Sequence, residues 1–344
     1  MNGSRVLRAE VFPILASACL FLALGAGFFL LEGHAPVALF LEMVKSAFGD
    51  SFAWSETLVK VAPILLCASA VVLPAKLGLV TVGAQGQMNF GAMAGTALVL
   101  SMMNGSAWVV LPLMLLTASL GGAFWGAVPG VFKARLGVNE TISTLMLNYL
   151  ALQLVDYVVH GPWKDPSNLG WPASANFPDA AILPTFFGSR VHLGLVIGVV
   201  AALILHVLVT YSRWGIALKV MRSNQRVALS AGLNYERNVI IVMAISGLLA
   251  GIAGIAETSV MQGRLQAGLA GGYGWSGFLV AWLSGQSFLR IIPMSILVGG
   301  LLSSADALQL FAQLPSSSAI ILQGMLFVSA LVVMNWVKLR GYHA

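Results

Sequence analysis

Three neutral amides, Gln85, Gln87 and Asn89, alternate with glycines in the run GLVTVGAQGQMNFGAMAG (78–95). Amides donate and accept hydrogen bonds without carrying charge. Buried in an apolar stretch, they need protein partners or water. A broken helix lining a route for an uncharged polar solute accounts for both the glycines and the amides. A regular helix whose amides bond to neighbouring helices is the alternative. Carboxylates at Glu140, Asp156, Glu257 and Asp306 stand in or beside other apolar stretches. Glu140 opens its stretch, where the helix dipole stabilises a negative charge. The other three are expected near the ends of theirs, reaching the interface, capping a helix or coupling to an ion. The five histidines are scattered without metal-ligand spacing. No G-x-S-x-G, H-E-x-x-H or G-x-x-x-x-G-K-[ST] occurs. An intramembrane enzyme therefore lacks its nucleophile–base pair or metal set, and ATP, if used, must be hydrolysed by another chain.

The elements that hold these residues are apolar and long. Of 344 residues, 58% are hydrophobic and 9% charged, against about 25% charged in a soluble domain. Crossing a hydrocarbon core takes about 20 mainly apolar residues, and backbone groups there must pair internally, so the crossings are helices. The expected fold is all-α, a polytopic membrane protein of about ten spans: 11–31, 57–75, 79–103, 107–130, 140–159, 190–210, 238–258, 275–289, 291–310 and 318–337. The eighth is short enough to be re-entrant. With the N-terminus inside, the outer breaks hold Lys45, Lys60, Lys164, Arg190 and Arg264, leaving thirteen of the eighteen Lys and Arg inside. That asymmetry places both termini in the cytoplasm. It also accounts for the net charge of +6 without nucleic acid. Arg5, Arg8 and ASAC (16–19) faintly suggest a cleaved leader, but the apolar run continues to Leu31, which is span length. Cys19 and Cys67 fall within spans and behave as small hydrophobes.

The chain is expected to be one transmembrane domain. Residues 1–160 form a first half, 161–189 an ordered external loop rich in Pro, Gly and Trp, and 190–344 a second half. Five spans per half is the parity an inverted repeat requires. The inner segment 211–237 is basic and holds a short helix over 223–231, capped by Ser223 or Asn224 and closed by Gly232. Gly122, Gly126 and Gly130 on one span and Gly247 and Gly251 on another form small-xxx-small rows, expected to pack within the chain.

The run 78–95 resembles the G-L-x-N-x-G-x-E-G-Q signature of ABC-importer permeases of the simple-sugar, nucleoside and branched-chain amino-acid class. GVNETISTLMLNYLA (137–151) resembles a block of the nucleoside-type permeases that work with receptors of the basic-membrane-protein type. GPWKDPSNLGWPAS (161–174), RWGIALKVMRSNQRVALSAGLN (213–234) and SGLLAGIAGIAE (246–257) resemble the segments that follow, so the likeness runs over roughly residues 60–330. Thr81 and Gln85 replace the signature's Asn and Glu, and AWLSGQSF (281–288) departs from the usual A-L-L-G-R-x-x-P. The resemblance implies a permease subunit of a bacterial-type inner membrane that imports nucleosides or related nucleobase compounds, or alternatively simple sugars. Its implied partners are a second permease, cytoplasmic ABC ATPases that use ATP, an extracytoplasmic solute-binding protein and membrane lipid; this chain itself would bind no cofactor. Gln85, Gln87, Asn89, Glu140 and Asn148 become candidate path residues. Arg222, Ser223, Asn224, Arg226, Ala228, Ala231 and Gly232 become candidate contacts to the ATPase. An ion-coupled carrier using Asp156, Glu257 or Asp306 is the rival, and it leaves 211–237 without a role.

Overall fold

Apolar stretches of this length settle as helices, and in the computed structural model every named element among the described residues is helical. The described residues are 3–167, 170–186, 188–269 and 271–339; Arg340 of the basic tail lies outside them. Contacts divide the chain into two units, one of residues 1–60 with 297–344 and the other of residues 61–296.

The first unit contains α1 (Gly3–Leu31), α2 (Pro36–Phe48), the start of α3 (Ser51–Lys76), the end of α12 (Ile291–Ser303), α13 (Ala305–Ala312) and α14 (Ser317–Leu339). Its core gathers Phe29, Leu39, Met43, Leu308 and Leu322, with Phe29 and Phe40 edge-to-face at 5.2 Å. Two points refine the expected spans. The break after Leu31 is not a loop: Pro36 starts a helix at its first position, where its missing N–H costs nothing. That helix turns back by 113° from α1. The expected span 291–310 agrees with one candidate crossing, Ile291–Ala312, in which Ser304 separates α12 from α13. Asp306 lies in the first turn of α13, mostly exposed, 3.8 Å from Lys60.

The second unit holds the rest of α3, then α4 (Ala84–Ser101), α5 (Ala107–Leu136), α6 (Glu140–His160), α7 (Leu193–Tyr211), α8 (Arg213–Ser223), α9 (Gln225–Ser230), α10 (Tyr235–Glu257) and α11 (Tyr273–Leu283). Helices α4, α5 and α10 approach backbone to backbone at their glycines. A methyl on Gly247 would come within 2.0 Å of the Gly122 carbonyl oxygen, and one on Gly91 within 2.3 Å of the Gly251 Cα. The glycine rows of α5 and α10 thus face each other inside one chain, so backbone meets backbone.

Six stretches are long and apolar enough to cross a bilayer: α3, α5, α6, α7, α10 with the π-turn that follows it, and α12 with α13. The α1–α2 pair adds a seventh if it is one bent span. The chain is a multi-pass membrane protein. α4 is kept out of this set by its amides. α11 has 11 residues and reaches about 16 Å at the helical rise, half of a hydrocarbon core, so it does not cross by itself. The loop segment 170–186 is tied to the residues after α10. Ser174 is fully buried and exchanges hydrogen bonds with Leu265, Ser174 N donating to Leu265 O (2.8 Å) and Leu265 N to Ser174 Oγ (2.9 Å).

Candidate functional site

The site begins where α3 ends. Gly78 turns the chain with φ +88°, and residues 79–82 form no helix before α4 begins at Ala84. Non-helical backbone inside a membrane protein leaves donors and acceptors that no helix satisfies. α6 supplies the partners with one face. Glu140 Oε1 accepts from Val80 N (3.3 Å), and Thr141 Oγ1 donates to Val80 O (2.8 Å). Thr144 Oγ1 accepts from Val82 N (3.3 Å). Asn148 Nδ2 donates to Val82 O and its Oδ1 accepts from Gly86 N, both at 2.8 Å. The last bond caps α4 from another helix, because its own N-cap, Gly83, has no side chain to do so. Glu140 Oε2 also pairs with Lys133 Nζ at 2.8 Å, tying the end of α5 to the start of α6. Asn139 caps α6 through Thr141 N and Ile142 N.

The expected path residues therefore occupy distinct positions. Glu140 and Asn148 face the unwound segment and hold it. Gln85 Oε1 accepts from Gly274 N at 2.9 Å and so satisfies the first turn of α11. Gln87 is buried against α10, with Ser246 Oγ 3.5 Å from its Oε1, and its Nε2 is unpartnered. Asn89 is 1% exposed, and its Nδ2 also has no partner. It opens on a cavity of about 300 Å³ whose other walls include Tyr149, Gln153 and Asp156 of α6 and Ala267 and Gly268. Sequence reading missed Tyr149 and Gln153. Their signal was present: Tyr149, Gln153 and Asp156 recur at i, i+4 and i+7 on one helical face. Glu257 is buried at the end of α10, remote in sequence from that face.

On the side of the basic segment, the expected short helix is α9. Its cap is Asn224, whose Oδ1 accepts from Arg226 N and Val227 N; Ser223 instead ends α8 and bonds to Val220 O. Gly232, at φ +74°, closes the turn, with Ala231 just before it. Arg222 donates to Ala75 O at 3.1 Å, linking α8 to the end of α3. Ala228 is corrected as a contact surface: it is fully buried within the chain and anchors α9. The apolar side chains that α9 leaves open are Val227 and Leu229, 54% and 56% exposed. Beside them lies a cleft of about 770 Å³ lined by Lys133, Gln225, Leu229, Leu233 and Tyr235 among others. No group of three metal-ligating side chains exists among the described residues.

The family described as branched-chain amino acid transport system / permease component matches residues 54–331. The chain belongs to this permease family. The permease is similar to the glucose ABC transporter permease protein TsgB13 of Haloferax volcanii, with 32% identity over 84% of this chain and 78% of that protein. It is similar to the guanosine ABC transporter permease protein NupP of Bacillus subtilis, with 31% identity over 88% of both. The nucleoside ABC transporter permease protein NupB of Lactococcus lactis shares 29% identity over 86% of this chain and 82% of its own. A transport permease is not an enzyme.

Proposed function

We propose that this permease is the membrane subunit of an ATP-driven importer of nucleosides or related nucleobase compounds. The observation that carries the reading is likeness along nearly the whole chain to permeases named for guanosine and for nucleosides. The site is compatible in chemistry: an unwound segment clamped by α6 and a cavity with amides and no basic side chain in its described lining suit an uncharged polar solute. Alternating access would open the path outward and then inward as a pair of ATPases closes and reopens. ATP stays with those partners. A second permease would complete the path, and an extracytoplasmic receptor would deliver the solute. The charge asymmetry supports an inner-membrane orientation with the N-terminus and the basic segment 211–237 in the cytoplasm. In that orientation α8 and α9 face the ATPase, and Arg222, Asn224 and Arg226 flank the Val227–Leu229 contact.

Simple sugars are the second reading, favoured by the 32% identity to the glucose permease. Uptake decides between them. The complete importer, expressed in a host without nucleoside uptake of its own, is expected to accumulate tritiated guanosine, and a hundredfold excess of glucose should leave that accumulation intact. Glucose uptake with no guanosine uptake would replace the nucleoside reading with the sugar one.

A further inference from the structure

The face of α6 that carries Tyr149, Gln153 and Asp156 is open, although α6 is apolar and long enough to be a span. Tyr149 is 59% exposed, and the Asp156 side chain is half exposed with His160 Nδ1 3.4 Å from its Oδ1. From Glu140, Gln153 lies about 20 Å and Asp156 about 24 Å along the helix, both within the thickness of a hydrocarbon core. A carboxylate and an amide turned to lipid there would be costly, and such residues face protein or water instead. The neighbouring wall supplies an independent sign. Asn89, on α4, is buried and its Nδ2 donor is unused. A buried donor without a partner, opening on a cavity, is a place a ligand can fill.

We infer that this cavity is the nucleoside-recognising subsite of the path, with Tyr149, Gln153 and Asp156 as specificity-determining contacts. The inference rests on the nucleoside reading of the same site. Each group has its match. The Asp156 carboxylate accepts from ribose hydroxyls, the Gln153 and Asn89 amides pair with hydroxyl or base edges, and the Tyr149 ring covers the flat face of the base. The described lining holds no Lys or Arg. A nucleotide phosphate would meet Asp156 with no compensating cation, so the site admits nucleosides and rejects nucleotides.

The test uses the complete importer in proteoliposomes with tritiated guanosine. Gln153→Leu and Asp156→Asn change open side chains, and each is expected to lower initial uptake at least tenfold at parental membrane yield. A second measurement does not depend on transport rate. Gln153→Cys in a Cys19→Ser background, where Cys67 stays fully buried, should react with a charged methanethiosulfonate. Guanosine should slow that reaction at least fivefold, and guanosine monophosphate should not. Parental guanosine uptake in both substituted importers, with labelling indifferent to guanosine, overturns the subsite while leaving the nucleoside reading intact. A parental importer that carries glucose and no guanosine overturns the nucleoside reading itself, and this assignment with it.

Discussion

Replacing Asn148 with Leu removes two hydrogen bonds from the unwound segment without changing the side chain's bulk much. Val82 O loses its donor and Gly86 N loses its acceptor, both in a buried setting and both at 2.8 Å in the parent. Side-chain hydrogen bonds between membrane helices average about 0.6 kcal/mol, because the unfolded chain finds other partners. A buried group left unpaired costs about 1–3 kcal/mol. Two groups therefore cost about 1–6 kcal/mol, a fall of roughly 1.5–8 °C in melting midpoint for a chain of this size. The matched control is Asn89→Leu, which removes an amide whose Nδ2 has no partner and should leave the midpoint within roughly 1 °C of the parent on the same scale. Both can be read in detergent with a thiol-reactive fluorophore in a Cys19→Ser background, because Cys67 is fully buried and reports unfolding. If Asn148→Leu melts with the parent, or Asn89→Leu falls as far as Asn148→Leu, the clamp is not what holds the segment.

Gly247→Ala would place a methyl 2.0 Å from the Gly122 carbonyl oxygen. It should sharply reduce folded protein in the membrane, measured as the monodisperse fraction after solubilisation, whereas Gly27→Ala, with open space around it, should not. Val227→Glu with Leu229→Glu should abolish guanosine uptake and recovery of the ATPase on the tagged permease at parental membrane yield; recovery at the parental level would remove α9 as the docking element. Single cysteines at Asn176 and Ser230, both exposed, should label from opposite sides with an impermeant maleimide, position 176 in intact cells and position 230 only after lysis. Labelling of both from outside would refute the orientation.

Helical stretches and the capped turn at Asn224 and Gly232 were legible, because each is written in local composition, whereas the break falls at 79–82, ahead of the amides, which sit inside the continuous helix α4. The glycine rows were legible for the same reason: spacing by four puts them on one face, and their partner row carries the same spacing. α2 was not. With 13 residues and both Glu42 and Lys45 inside it, it is too short and too charged to register as a span, and it passed for a break. Nor did sequence distinguish the roles of the amides. Asn148, Gln85 and Asn89 are alike in chemistry, and only pairing between segments about sixty or more residues apart shows that the first two are bonded to backbone while Asn89 opens on the cavity. The clamp left a trace that could be read afterwards. Glu140, Thr141, Thr144 and Asn148 share one side of α6, an unusual run of polar side chains for an otherwise apolar helix, and such a face needs a polar object opposite it.

Energy source is the point on which the proposed function and the ion-coupled carrier part most cleanly. The direct measurement is guanosine uptake by the reconstituted importer, with receptor outside and ATP either sealed inside the proteoliposomes or left out. Uptake that needs internal ATP and survives ionophores that collapse proton and sodium gradients is the predicted result. Uptake without ATP, driven by an imposed ion gradient and lost on adding the ionophore, would contradict the account.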